Sequence, residues 1–180
     1  MRKPGRAEVS FSTGSFPSES ERMQPFDKHE LAELFADVPT RERHLVNVEY
    51  VDWGVLDFLG WTHPSGHLGY VATRIGDEAV GLVLRRTLFS GRSRRMQMCA
   101  WCHTLNRSTE LAMFSRWVDG SDGRRSIGLN LCKHLDCSLR LRNLTGDPRQ
   151  LMPETIHLSY KIQRLRDAVN GYVRRVRPVA

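Results

Sequence analysis

The chain has 180 residues, a formal net charge of +7 and a 40% share of hydrophobic residues. That share is enough for a packed core, whereas no apolar run approaches the roughly 18 residues of a membrane-spanning helix. The first segment, MRKPGRAEVSFSTGSFPSESER, is basic and then rich in Ser and Pro, and it lacks the apolar stretch of a secretory signal. The sequence therefore predicts a cytoplasmic protein with no membrane contact, in a reducing compartment where disulfides are rare.

Positive charge is concentrated in the second half of the chain. Residues 1–84 contain 8 Lys and Arg against 13 Asp and Glu, a net charge of −5, whereas residues 85–180 contain 19 against 7, a net charge of +12. A basic half is typical of proteins that bind an acidic partner, either nucleic acid or an acidic protein surface. The alternative is a charged, solvated surface with no partner.

The N-terminal part is predicted to be a disordered leader, residues 1–24, followed by a helical region, residues 25–67. The stretch PFDKHELAELFADV has the pattern of a short amphipathic helix that begins at Pro25 or is capped by Asp27. Its apolar residues share one face: Leu31, Leu34, Phe35 and Val38. PTRERHLVNV is predicted as a second helix. VDWGVLDFLGWTHPSGH contains several Gly and Pro breakers and is predicted as a packed loop or a short helix and turn.

The pattern then changes to that of strands. LGYVATRIGDEAVGLVLRRT alternates and is interrupted by Gly76-Asp77, which predicts a hairpin. RRMQMCAWC is predicted as a third strand in which Met96 and Met98 fill the core. ELAMFSRWV and SIGLNL are predicted as further strands, with Trp117 in the core. The tail, PETIHLSYKIQRLRDAVNGYVRRVRP, is predicted as a long helix because apolar residues recur every three or four positions: Leu158, Ile162, Leu165, Val169, Tyr172, Val173 and Val176.

The four cysteines form two close pairs. Cys99 and Cys102 are spaced C-x2-C, and after 29 intervening residues Cys132 and Cys137 are spaced C-x4-C. Two pairs of thiolates satisfy one tetrahedral zinc ion with no ligand left over. The alternatives are two unrelated buried pairs, a pair of disulfides, or replacement of one thiolate by His103 or His134.

The segments around the cysteines have a recognisable order. The first pair follows a strand, a hairpin lies between the pairs, and the second pair begins a short helix in CKHLDCSLRLRNL. This is the order of a treble-clef finger, with Cys132 before the helix and Cys137 in its first turn. The predicted fold class is α+β: a short helical N-terminal region, then an antiparallel sheet with a treble-clef finger and a long C-terminal helix in residues 68–180.

The sequence argues against catalysis. A catalytic zinc keeps one position open for water, whereas four thiolates close the coordination shell. H-E-x-x-H, G-x-S-x-G, Walker A and G-x-G-x-x-G motifs are all missing from the sequence. A treble-clef nuclease that uses His103, His134 and Asn130 is the least supported interpretation. We therefore expect no enzymatic activity and no small-molecule substrate.

Three stretches resemble a known family: CAWCH, SRWVDGSDGRRSIGLNLCKHLDCSLRLR, and KIQRLRDAVNGYVRRV in the C-terminal helix. Together they resemble the C-terminal treble-clef domain of the elongation-factor-G-binding proteins, the FusB-like family that includes fusidic acid resistance proteins. The resemblance covers roughly residues 70–177. It implies a cytoplasmic, non-enzymatic protein in which the four cysteines hold one structural zinc ion. The Ser/Pro-rich leader and the short helical region depart from the resistance proteins.

The resemblance also implies that the finger domain binds elongation factor G. Within the matching stretch, the candidate partner-binding residues are Trp101, Arg116, Arg124, Arg125, Lys133, Arg140 and Arg142. Trp101 is equally suited to recognition and to packing on the C-terminal helix. The function predicted is an adaptor that binds elongation factor G or the ribosome through a basic surface. The alternative is a zinc finger that binds RNA or another nucleic acid, because the same arginines suit phosphates.

Overall fold

A five-stranded antiparallel sheet organises the protein. The computed structural model describes residues 23–88, 95–145 and 154–178, so the predicted leader lies outside the described residues except for its last two. The strands are β1 Leu59–Thr62, β2 Leu68–Ile75, β3 Glu78–Leu88, β4 Met96–Met98, β5 Leu105–Arg107, β6 Leu111–Trp117 and β7 Ser126–Cys132. The sheet has the order β1-β2-β3-β6-β7, and β4 and β5 form a separate two-stranded ribbon.

The described ranges contain three α-helices in addition to the strands. They are α1 Lys28–Leu34, α2 Cys137–Leu141 and α3 Leu158–Val176, and short 3-10 turns lie at Thr40–Glu42, Val48–Tyr50, Trp53–Val55 and Ser108–Glu110. The long helix α3 confirms the predicted apolar stripe, of which only Leu158 is exposed. No helix in the three described ranges is long and apolar enough to cross a membrane.

The first helix and the β2–β3 hairpin form where the sequence predicts them. Asp27 caps α1 and accepts a hydrogen bond from the Glu30 N–H at 2.7 Å. The β2–β3 hairpin turns at Gly76-Asp77, where Gly76 has φ +61°, a conformation that glycine adopts without strain. The α+β fold class is therefore confirmed, with an antiparallel sheet as predicted.

The predicted second helix is wrong. Its segment forms only the 3-10 turns Thr40–Glu42 and Val48–Tyr50. Pro39 has no N–H to continue a helix, and the Arg43 guanidinium binds the carbonyl oxygens of Ala36 and Val38, which holds the chain in a turn.

The stretch predicted as a packed loop contains β1, which pairs with β2. The division of the chain at residue 67 stays a prediction, and this strand pair crosses it.

The sheet has a hydrophobic cluster on each face. On one face, residues of the N-terminal segment pack against β1 and β2; this N-terminal cluster comprises Met23, Phe26, Leu31, Phe35, Leu59, Trp61, Tyr70 and Ala72. On the other face, alternate residues of β3 and β6, such as Leu82, Leu84 and Phe114, pack against the cysteine-bearing finger and α3. The sheet therefore separates the N-terminal segment from the finger.

Close contact between β1 and the finger depends on Gly60. A Cβ at this position would lie 2.7 Å from the Leu135 Cβ, from the Leu135 carbonyl oxygen and from a Phe58 ring carbon. We expect Gly60→Ala to lower the free energy of unfolding by about 1–3 kcal/mol because backbone and ring must move. Gly171→Ala is the control: nothing lies within 4 Å of the new Cβ in α3, so a gain of up to about 1 kcal/mol is expected. Urea unfolding of the zinc-loaded variants measures both changes. Equal stabilities of the Gly60→Ala and Gly171→Ala variants would contradict the close contact at Gly60.

Candidate metal centre and the surfaces around it

The four cysteines come from three separate elements. Cys99 directly follows β4 and Cys102 lies in the turn before β5, whereas Cys132 ends β7 and Cys137 is the first residue of α2. This arrangement confirms the predicted order of knuckle, hairpin and helix.

The four sulfurs form one compact group. All four Sγ atoms lie within 4.8 Å of one another. The closest distances join Cys102 to Cys132, 3.6 Å, and Cys99 to Cys137, 3.7 Å. All four side chains are buried, and the sulfurs are thiols rather than disulfides. Among the described residues, no histidine or carboxylate joins this group, so His103 and His134 are not part of it.

The chemistry of the group fits a thiophilic divalent cation. Contact with the Cys102 sulfur raises the pKa of Cys132 and of Cys137 well above the ordinary thiol value. Four adjacent thiols therefore cannot all ionise by themselves. A zinc ion stabilises four thiolates together and accepts them in tetrahedral geometry. The donor set thus fits one structural zinc ion, as the sequence predicts, and it offers no open coordination position.

Backbone hydrogen bonds shape both cysteine turns. In the first, the His103 N–H donates to the Cys99 carbonyl at 3.0 Å, and His103 adopts φ +58°. In the second, the Leu135 N–H donates to the Cys132 carbonyl at 2.9 Å, and Leu135 also has φ +58°. The two turns are joined because the Ala100 N–H donates to the Asn130 carbonyl at 2.9 Å. Each turn therefore presents its thiols from a fixed backbone.

Trp101 is buried and is not available to a partner. It is 1% exposed, and its ring lies edge-on to Phe58 and Tyr172, with centroid distances of 5.2 and 5.8 Å. The nomination of Trp101 as a partner-binding residue is therefore corrected: its indole packs the finger between β1 and α3. The sequence left this choice open because a tight knuckle accommodates either orientation.

Three nominated cations are engaged in internal ion pairs. Lys133 pairs with Glu110 at 2.8 Å, and Arg140 pairs with Asp136 at 2.8 Å. Arg142 forms a bidentate ion pair with Asp57, with N–O distances of 2.6 and 3.1 Å. Arg140 and Arg142 are only 12% and 15% exposed and are held in these pairs, so both stabilise the fold, and their partner-binding role stays a prediction. Lys133 is 26% exposed and still adds positive charge to the finger surface.

The other three nominated arginines lie at the opposite end of the β6–β7 hairpin. Arg124 and Arg125 are exposed in the loop before β7, and Arg116 pairs with Asp119 at 3.0 Å. Because β7 runs from Ser126 to Cys132, about 20 Å separates this loop from the cysteines. The nominated residues therefore do not form one surface.

Three side chains that the sequence predicts to be in the core are exposed. Trp117 is 49% exposed, Met98 is 54% exposed and Met96 is 39% exposed. In an alternating strand, the sequence does not reveal which face the rest of the fold covers. The sequence does contain one indication that the two methionines are exposed, because Met96 and Met98 flank a polar Gln97 and follow a basic stretch.

Comparison with known proteins places this geometry in a family. The sequence model of the FBP C-terminal treble-clef zinc-finger family matches residues 35–176. Among solved structures, the fusidic acid resistance protein FusC has a similar fold, with a TM-score of 0.53 and 12% identity; the match covers 87% of this chain and 60% of that chain. No curated protein sequence matches. The chain therefore belongs to the FBP C-terminal treble-clef zinc-finger family.

Proposed function

We propose that this protein is a non-enzymatic adaptor that binds elongation factor G or the ribosome through its zinc-stabilised finger. Four buried thiolates leave a bound zinc ion no position for a water molecule or substrate. The ion would act by fixing the two cysteine turns and, through them, the surface of the finger. Binding to one conformer of the partner would then shift the partner's conformational equilibrium without bond chemistry.

The observation that carries this proposal is an exposed apolar patch on the finger ribbon. Met96 and Met98 lie on the same face of β4, and their cross-strand neighbours on β5 are Arg107 and Leu105. Flexible methionine side chains adapt to varied partner surfaces, and a patch flanked by arginine suits an apolar and acidic protein surface. Lys133, Arg124 and Arg125 add positive charge to the same half of the chain.

The test is direct binding to purified elongation factor G. We expect the double variant Met96→Glu, Met98→Glu to weaken binding by about tenfold or more, because central apolar contacts dominate such interfaces. Tyr50→Glu is the matched control, since Tyr50 is 87% exposed on the N-terminal segment and should be neutral. Calorimetry or biolayer interferometry measures the affinity, and circular dichroism checks that the variants fold.

A second variant locates the surface. If Arg124→Glu, Arg125→Glu abolishes binding while the methionine variant binds normally, the finger patch is wrong and the β6–β7 loop carries the contact. If the wild-type protein binds neither elongation factor G nor ribosomes, the adaptor function itself is wrong.

A further inference from the structure

An open groove lies on the face of the sheet opposite the finger. Arg85 on β3 and Ser115 on β6 are cross-strand partners and therefore share this face, whereas their neighbours Leu84 and Phe114 point into the core beside the cysteines. The N-terminal segment covers β1 and β2 on the same side. The uncovered part of β3 and β6 forms the floor of the groove, which has a volume of about 800 Å³.

Positive charge predominates along this groove. Its charged residues other than histidine are Arg41, Arg85, Arg86, Arg116, Glu42 and Asp119. Both carboxylates are already paired: Glu42 lies 3.6 Å from Arg41, and Asp119 lies 3.0 Å from Arg116. In the described part of the chain, Arg85 and Arg86 have no carboxylate within ion-pair distance. Arg85 shares the groove face with Ser115, whereas Arg86 is the cross-strand partner of Phe114 and therefore leaves the sheet on the finger side. Arg85 is thus the unpaired cation that an anionic ligand in the groove would neutralise.

The groove also contains an exposed aromatic plane and a histidine. Trp117 lies two residues after Ser115 and therefore on the same face, and it is 49% exposed. On the other wall, the His63 Nδ1 accepts a hydrogen bond from the Ser65 N–H at 3.0 Å. A neutral ring in this arrangement carries its proton on Nε2, for which the described residues supply no acceptor.

We propose that this groove binds a short single-stranded nucleic acid, with a phosphate at Arg85 and a base stacked on Trp117. An unpaired arginine beside an exposed aromatic ring is the combination that binds single strands without requiring a fixed sequence. An acidic peptide would use Arg85 but would leave the indole plane without a stacking partner. The site is separate from the finger patch and does not rest on the proposed protein partner.

The test is fluorescence anisotropy of labelled oligonucleotides of about eight nucleotides, within the site sizes of single-strand-binding folds. Zinc-loaded full-length protein is titrated with uridine RNA and with thymidine DNA. We expect Trp117→Ala to weaken binding at least about fivefold and Trp117→Phe to restore most of it, because phenylalanine also stacks. Arg85→Glu should weaken binding by a similar factor or more, and Arg85→Ala should reduce the salt slope by about one.

The control is Lys28→Glu, which makes the same charge change at the exposed first residue of α1. It should leave nucleic-acid affinity within about twofold, since only a screened long-range effect remains. The groove is excluded as the site if Lys28→Glu weakens binding as much as Arg85→Glu. It is also excluded if the wild-type protein binds neither oligonucleotide, or if an acidic peptide binds in its place and Trp117→Ala has no effect. The finger variant Met96→Glu, Met98→Glu should bind the oligonucleotides normally, so each proposal can fail alone.

Discussion

Replacing Cys102 with serine is expected to unfold the finger and to release its zinc ion. The Cys102 Sγ lies 3.6 Å from that of Cys132, and the residue is 1% exposed. A serine hydroxyl is a poor zinc ligand and stays protonated. Apparent zinc-binding free energies of roughly 10–16 kcal/mol in finger peptides are comparable to the entire stability of a domain, about 5–15 kcal/mol. Losing most of that contribution leaves too little to hold the finger together.

The damage should extend beyond the metal site. The Cys102 carbonyl accepts a hydrogen bond from Arg164 on α3 at 3.4 Å, and the neighbouring Trp101 packs on Phe58 and Tyr172. Disorder in the first knuckle therefore removes packing from both the sheet and the helix. We expect a lower helical signal in circular dichroism and sensitivity to proteolysis.

Metal analysis provides the matching measurement. The wild-type protein should contain about one zinc ion per chain, and a strong chelator should reproduce the spectrum of the Cys102→Ser variant. His134→Ala is the control, because this exposed residue lies two positions after Cys132 yet outside the sulfur group, so the variant should keep its zinc. A wild-type spectrum and full zinc content in Cys102→Ser would contradict the four-thiolate centre.

Replacing Asp57 with alanine is expected to cost about 3 kcal/mol of unfolding free energy. Its carboxylate is fully buried and pairs with Arg142 at 2.6 Å and with Arg166 at 3.1 Å. Its N–H also donates to the Ser138 Oγ at 3.0 Å. Without the carboxylate, two largely covered guanidinium groups lose their anion, and the segment before β1 loses its ion pairs with Arg142 and with Arg166 on α3.

A pair near the surface supplies the comparison. Asp119 pairs with Arg116 and Arg177 but is 46% exposed, so Asp119→Ala should cost less than about 1 kcal/mol. Asp57→Asn keeps the shape of the side chain, so its loss of unfolding free energy should lie between those of Asp57→Ala and Asp119→Ala. It replaces Asp57→Ala in the comparison if that variant does not fold. Urea unfolding of zinc-loaded protein measures all three. Similar small losses for Asp57→Ala and Asp119→Ala would show that the buried pair contributes no more than an exposed one.

The sequence predicts those features that depend on local spacing. The cysteine pairs indicate the finger, and the recurrence of Ile162, Leu165 and Val169 indicates the long helix, because ligand number and helical periodicity are properties of neighbouring residues. Even the position of Cys137 at a helix start follows from the four-residue gap.

Features that depend on long-range packing were not predictable. Trp101 is buried only because β1 and α3 meet over the knuckle, whereas Trp117 is exposed because the N-terminal segment stops short of β6. Likewise, Arg142 is structural only because Asp57, 85 residues earlier, lies beside it. A single sequence shows the charge of such a residue but not whether the fold supplies its counter-ion.

The pairing of Asp57 has a consequence for folding kinetics. Its contacts with Arg142 and Arg166 close chain loops of 85 and 109 residues, whereas the closest cysteine contacts span only 30 and 38. Loop-closure entropy rises with loop length, so contacts between distant segments form late and slow the reaction. Metal capture should therefore precede docking of the N-terminal segment, and refolding should be faster when zinc is present from the start.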